Sequence, residues 1–289
     1  MGGVSAGDPP RADRGPLAIC RNHTHTRSYQ RMDLELKGKV AVVTGASRGI
    51  GRGIAGALAD EGCDLVICAR GEEALDEAAT EFRAKGVRVE ALALDLVEPD
   101  GAARLLAAAE ERFGGVDVVV NNVGGNRRKP FEETTDTDWA ELFDLNVNTA
   151  FRVTRAAIPL LRKRGGGSVV FISSIFGRET GGPGLSIYNT TKSAMISAAR
   201  IMSLELAPEG IRVNSVAPGS IRFPGGSWDR RCKEQPEAMA EFTRQNLPLG
   251  RFGTVPEVAN VVAFLASPRS SLLTGTCIPV DGAQGRSLI

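Results

Sequence analysis

A chain of 289 residues with 42% hydrophobic and 24% charged residues has the makeup of a soluble globular protein able to bury a sizeable core. Its formal net charge of +1, with both signs interspersed, argues against docking on nucleic acid or an anionic membrane, which needs a basic face. No apolar run is long enough to span a bilayer, and five cysteines without a C-x-x-C pair argue against a disulfide or metal framework. The reading is reduced thiols in a cytoplasmic protein with no metal.

Residues 1–31 hold Gly, Pro, Arg and Asp without apolar periodicity, and both histidines lie there. They lack the apolar core of a secretory signal and read as a disordered tail, with Met32 a natural beginning for the folded chain. From Leu36 on, strand and helix patterns alternate. Strands are predicted at Lys39–Thr44, Asp64–Ala69, Arg88–Leu94 and Val116–Val120, then at Ser168–Ile172, Arg212–Val216 and Cys277–Val280. Helical periodicity covers Ile50–Ala59, Glu72–Lys85, Ala102–Phe113, Trp139–Leu161, Ser186–Leu206 and Glu257–Ala266. Pro218–Pro248 reads as less regular. The strands do not alternate polar with apolar, so helices should cover both sheet faces. Strands and helices in strict turn predict an α/β fold, a parallel, doubly wound sheet of about seven strands in one Rossmann-type domain over residues 32–289.

The first strand ends in Thr44-Gly45-Ala46-Ser47-Arg48-Gly49-Ile50-Gly51 and opens directly into a helix. Small residues let the backbone approach a pyrophosphate, and a helix N-terminus offers free N–H groups and partial positive charge. The spacing is G-x-x-x-G-x-G rather than G-x-G-x-x-G, so a glycine-rich turn without a ligand is the competing reading. The second strand ends Cys68-Ala69-Arg70, without the acid that would bind a ribose 2′-hydroxyl. Arg70 and Arg48 are placed to meet a 2′-phosphate, for which a planar guanidinium fork is suited. NADP(H) is favoured over NAD.

With this loop and the later Tyr188-Asn189-Thr190-Thr191-Lys192, the sequence resembles the short-chain dehydrogenase/reductase family over nearly all of residues 32–289. Further motifs stand in the family's order: Asp95-Leu96, Asn121-Asn122-Val123-Gly124, Leu145-Asn146-Val147-Asn148, Ser173-Ser174 and Pro218-Gly219. The resemblance implies a cofactor cleft lined by Gly45, Ser47, Arg48, Gly49, Ile50, Gly51, Arg70, Asp95, Leu96, Asn122, Gly124, Pro218, Gly219 and Ile221, with Tyr188 and Lys192 meeting the nicotinamide end. It implies catalysis by Ser174, Tyr188, Lys192 and Asn146. Reducing a ketone puts negative charge on the carbonyl oxygen, so a proton donor must stand beside it. Tyr188 is that donor, but an ordinary phenol pKa of about 10 is high for the task. Lys192, four residues on and one turn away on the same face, is expected to lower it, together with the positive ring of the oxidised cofactor. A shift of about three pKa units requires roughly 4 kcal/mol of preferential phenolate stabilisation.

Ser174 is assigned to hydrogen-bond the substrate oxygen, because Ser174-Ile175-Phe176-Gly177 matches the family's serine with a glycine three later; Ser173 is the alternative. Asn146 corresponds to a residue that holds a relay water, and a helix-packing amide is its competing reading. Two departures stand out. The stretch between Ser174 and Tyr188 is glycine-rich and slightly long, and Phe223 stands where a threonine commonly contacts the nicotinamide. Substrate choice should lie with Ser220–Leu249. The Arg127-Arg128-Lys129 and Arg230-Arg231-Cys232-Lys233 runs are either anion contacts or solvated faces.

The resemblance is nearest to 3-oxoacyl-carrier-protein reductases and related ketone reductases. The alternatives are an NAD(P)-dependent sugar or secondary-alcohol dehydrogenase and a non-catalytic nucleotide-binding module. The partner is a small carbonyl or alcohol substrate. Phe151–Leu161 and Ser186–Leu206 are expected to pair subunits into a homotetramer or dimer.

Overall fold

A computed structural model describes residues 32–288. The reading of residues 1–31 as a tail, and Cys20 and both histidines with it, lies outside the described residues. Leu34–Ile289 form one compact unit. Its strands are β1 (Val40–Thr44), β2 (Asp64–Ala69), β3 (Val89–Ala93), β4 (Val118–Asn121), β5 (Gly167–Ile172), β6 (Ile211–Pro218) and β7 (Cys277–Val280). Its helices are α1 (Gly49–Asp60), α2 (Glu72–Arg83), α3 (Gly101–Phe113), α4 (Asp136–Phe143), α5 (Thr149–Lys163), α6 (Ser186–Leu206), α7 (Ser227–Glu234), α8 (Pro236–Asn246) and α9 (Val255–Ala266).

All seven strands are parallel, in the order β3-β2-β1-β4-β5-β6-β7. Burial explains the unalternated strands: Val40–Val43 are at most 1% exposed because both faces are covered. One core gathers Val43, Ile54, Leu65, Ile67, Phe82 and Val262, and the other gathers Val42, Val66, Leu105, Val119, Val153 and Phe171. Strand order reverses between β1 and β4. In an open α/β sheet a crevice forms at the carboxyl ends of strands on either side of such a reversal, and ligands bind there.

Two stretches differ from the sequence expectation. The helical pattern over 139–161 is interrupted: α4 passes into a π-helical turn at Asp144–Asn148 before α5. Wider turns of this kind occur where a side chain must be re-aimed, and here Asn146 is carried fully inside. Pro218–Pro248, expected to be irregular, contains α7 and α8. Periodicity missed them because α7 buries only Asp229 and α8 buries nothing, so neither has an apolar stripe to read. Trp228 of α7 stacks on Phe242 of α8 with centroids 4.8 Å apart, and both rings contact Phe252. Among the described residues no helix is long and apolar enough to cross a membrane.

Candidate active site

At the reversal, β1 hands over to α1 through the glycine loop. Gly45 (φ 66°) and Gly49 (φ 58°) adopt the left-handed conformation that favours glycine. A Cβ on Gly51 would collide with the Gly45 carbonyl and the Asn122 amide. The loop is tied to the end of β4: Asn122 Nδ2 donates to Thr44 O (2.9 Å) and Gly45 O (3.2 Å), while the Asn122 and Val123 N–H groups donate to Thr44 Oγ1. Asn122 therefore acts on the crevice through the loop it braces.

The first turn of α1 has no side-chain cap and no acidic residue. By contrast α4 and α9 each begin with a complete capping box, Thr135 with Asp138 and Thr254 with Glu257. An uncapped N-terminus behind glycines fits a pyrophosphate, whose oxygens complete the unpaired N–H groups. Arg48 and Arg70 are both exposed, and no described acid pairs with either. Arg52, nearby on α1, is bound to Glu81 at 2.8 Å. Asp95 keeps its carboxylate in its own turn, accepting from Val97 N–H at 3.0 Å, and Leu96 is buried beside it.

Gly124 links this crevice to the chemical residues. A Cβ there would stand 3.1 Å from Asn146 Oδ1 and 3.3 Å from Lys192 Nζ. Asn146 is held by protein groups throughout: its Oδ1 accepts from Gly125 N–H (2.7 Å), and its Nδ2 donates to Gly125 O and Thr191 Oγ1 (both 3.0 Å). Lys192 Nζ donates to Ile172 O at 2.9 Å and stands 5.8 Å from the centroid of the Tyr188 ring. Burial without an opposing charge pulls its pKa down to about 8.

The two serines have different partners. Ser173 Oγ donates to the backbone carbonyl of Lys192 at 2.9 Å, which turns it into α6. Ser174 is hydrogen-bonded to the Tyr188 side chain and accepts from Phe176 N–H at 3.2 Å. Gly177 lets this turn lie against α6, since a Cβ there would stand 2.8 Å from the Lys192 carbonyl. Tyr188 departs from expectation: burial raises its pKa above the ordinary 10.0, and only the Ser174 hydrogen bond opposes that. Lys192, whose ammonium donates to Ile172 O, does not offset the burial.

After β6 the chain is fastened by residues the sequence did not flag. Ser220 N–H donates to Gln284 Oε1 (2.8 Å) and Gln284 Nε2 donates to Ser220 Oγ (2.9 Å). A Cβ on Gly219 would strike Gln284 and Asp281, and Ile221 pairs with Gly253. Glu179, between Ser174 and Tyr188, accepts from Arg286 and Ser287 N–H. The hydrogen-bonded side-chain partners are 64 to 108 residues apart in sequence, so no local motif announces them. The ring of Phe223 lies on Gly49, its Cζ 2.7 Å from where a Cβ would be, so the residue in the family's threonine position covers the glycine loop. Arg222, Lys233 and Gly225 N–H converge on Asp229 and fix the turn carrying that ring.

A family model described as enoyl-(acyl carrier protein) reductase matches residues 45–283. An uncharacterized oxidoreductase of Mycobacterium tuberculosis is 41% identical over 248 residues, 86% of this chain and 92% of that protein. The 3-oxoacyl-[acyl-carrier-protein] reductase FabG of Thermotoga maritima is 34% identical, over 86% of this chain and 98% of its own. The crystal structure of L-sorbose reductase from Gluconobacter frateurii, complexed with NADPH and L-sorbose, superposes with a TM-score of 0.85 at 34% identity, covering 89% of this chain and all of that one (100%). The chain belongs to the short-chain dehydrogenase/reductase family, and it is an oxidoreductase.

Proposed function

We propose that this protein is an NADP(H)-dependent ketone reductase. The observation that carries the proposal is the meeting of Ser174, Tyr188 and Lys192 at the crevice, with a glycine loop flanked by two arginines that have no acidic partner among the described residues. NADPH held in this crevice would supply the hydride, and its oxidised ring would carry positive charge. Tyr188 gives its proton to the carbonyl oxygen, and the single Ser174 hydroxyl proton, directed to that phenol in the free protein, turns to the developing oxyanion. Lys192, whose ammonium donates to Ile172 O beside the Tyr188 ring, is the residue that would hold the ribose end of the cofactor. Asn146 keeps the Gly124–Gly125 turn against Lys192, and the second lone pair of Oδ1 is available to hold a relay water. The relatives described as a 3-oxoacyl-carrier-protein reductase and an L-sorbose reductase support ketone reduction as the chemistry.

Cofactor choice is tested by steady-state rates with NADPH and NADH, using a 3-oxoacyl thioester and L-sorbose as ketones. Wild type should prefer NADPH, and replacing both Arg48 and Arg70 by Ala should raise the NADPH KM about 10- to 100-fold, as expected for two lost charge-assisted contacts, with the NADH KM within about twofold. Equal use of NADH by the wild type would refute the assignment. Gly51→Ala should weaken NADPH binding by about tenfold or more, since overpacking a tight loop costs about 1–3 kcal/mol. Fluorescence titration reads that loss; an unchanged Kd would remove the loop from cofactor binding.

The proposal extends to a cytoplasmic homo-oligomer, tetramer or dimer, in which α5 and α6 pair between subunits. Ile201 and Leu204 on α6, 53% and 60% exposed, are apolar residues suited to such a contact. Sedimentation of a monomer at micromolar concentration would count against it.

A further inference from the structure

Six cations stand in two basic runs, Arg127-Arg128-Lys129 and Arg230-Arg231-Cys232-Lys233, and in the first their pairing separates them. In the first run Arg127 lies against Glu141 (2.5 Å) and Asp138, and Lys129 Nζ binds Asp138 at 2.9 Å. Those two charges are spent on the first turns of α4. Arg128 between them is exposed, and no described acid pairs with it.

Its position is set at both ends of a short strap. At one end Gly124 stands beside Lys192 Nζ, and Gly125 is bonded through both N–H and C=O to Asn146. At the other end Lys129 N–H donates to Gly184 O at 2.9 Å, four residues before Tyr188. Only a few residues separate the two anchors, so the strap runs from beside Lys192 to the stretch that precedes Tyr188. Arg128 drapes over the glycine-rich stretch on that side. A Cβ on Gly184 would stand 2.8 Å from Arg128 Cγ, and one on Gly182 would stand 3.6 Å from its Nη2. The absent side chains make a bed for the arginine, its stem against Gly184 and its guanidinium over Gly182, on the stretch between Ser174 and Tyr188. The extra glycines that make this stretch unusual thus have a physical use.

We propose that Arg128 binds an anionic group of the substrate, so that the ketone reduced here carries a carboxylate or phosphate several bonds from its carbonyl. This rests on the ketone-reductase reading and narrows its substrate class. A guanidinium without a protein acid pairs with an oxyanion through two parallel hydrogen bonds, which fixes the orientation of the molecule as well as its affinity. Neutralisation of Arg127 and Lys129 confines this recognition to one place on the rim.

The test compares matched ketone pairs in NADPH oxidation: 4-oxopentanoate with its methyl ester, and dihydroxyacetone phosphate with dihydroxyacetone. Wild type should favour at least one anionic member by kcat/KM, and which pair shows the preference distinguishes carboxylate from phosphate. Arg128→Ala should raise KM for that member about 10- to 100-fold, the range for a lost charged hydrogen-bond pair, with kcat and the neutral member within twofold. Arg128→Lys should restore part of the loss. Equal effects on charged and neutral members, no effect on either, or no wild-type preference for an anion would overturn the proposal. If NADPH binds and no ketone of either kind is reduced, it is the ketone-reductase reading that fails.

Discussion

Tyr188→Phe should lower ketone turnover by about 10²- to 10⁴-fold, the contribution of a positioned general acid, while NADPH binds as in the wild type. The substitution removes one oxygen and keeps the ring, so packing at the start of α6 is unchanged. Ser174 loses its phenol partner but still accepts from Phe176 N–H, and no polar group is orphaned deep in the core. Single-turnover hydride transfer, followed at saturating NADPH, isolates the chemical step from release. Retention of a tenth or more of the wild-type rate would remove Tyr188 from proton transfer.

The pH dependence is directional. Burial holds the Tyr188 pKa above 10.0, so the acid form needed for reduction persists through neutrality and well into the alkaline range. Reduction should therefore be flat near neutral pH, whereas alcohol oxidation, which needs the phenolate, should rise with pH. The charge left on the oxidised cofactor acts in the oxidative direction only, which widens the difference.

The fold was largely legible because each strand is a short apolar run and each core helix has a stripe. Val40–Val43, Leu65–Cys68 and Val118–Val120 announce a two-sided sheet, and Met195 and Ala199 announce the inner face of α6. Tyr188 and Lys192 were legible for a related reason: their alignment is a property of one helix, four residues apart. What escaped depends on distant chain segments. Asn146 is aimed by a π turn that no periodicity encodes, and its partner Thr191 lies 45 residues away. Phe223 could be recognised as a departure from a pattern, but its place over Gly49 follows from Asp229 gathering Arg222, Lys233 and the Gly225 N–H. The Tyr188 pKa moved against expectation because sequence spacing shows that a lysine is near, not how deeply the fold buries the phenol.

Lys192→Met should abolish turnover and at the same time make the apoprotein more stable at neutral pH. Lys192 is 5% exposed, has no described carboxylate partner, and its pKa falls from 10.5 to about 8 through burial. A folded-state pKa below the unfolded one means that the unfolded chain holds more protons between pH 8 and pH 10.5. Stability from this group therefore rises with pH across that window, and the full burial penalty is present below it. About 1.4 kcal/mol per pKa unit puts the penalty near 3 kcal/mol, to order of magnitude. Losing the Nζ–Ile172 hydrogen bond returns about 1 kcal/mol, and methionine fills the space of the unbranched stem without a charge. The variant should thus gain about 2 kcal/mol at pH 7, and its advantage should shrink as the wild type is taken towards pH 10. The buried thiols of Cys63, Cys68 and Cys277, whose pKa values are pushed up to about 12, 12 and 11, weaken both proteins alike at high pH and cancel in the difference. Urea unfolding of both proteins at pH 7 and pH 10 and fixed ionic strength reads the gap. A variant less stable than wild type at pH 7, or a gap that widens with pH, would mean that the ammonium is compensated in the folded protein. If the gap behaves as argued, the lysine is kept for chemistry at the expense of stability, as expected of a functional charge placed in a core.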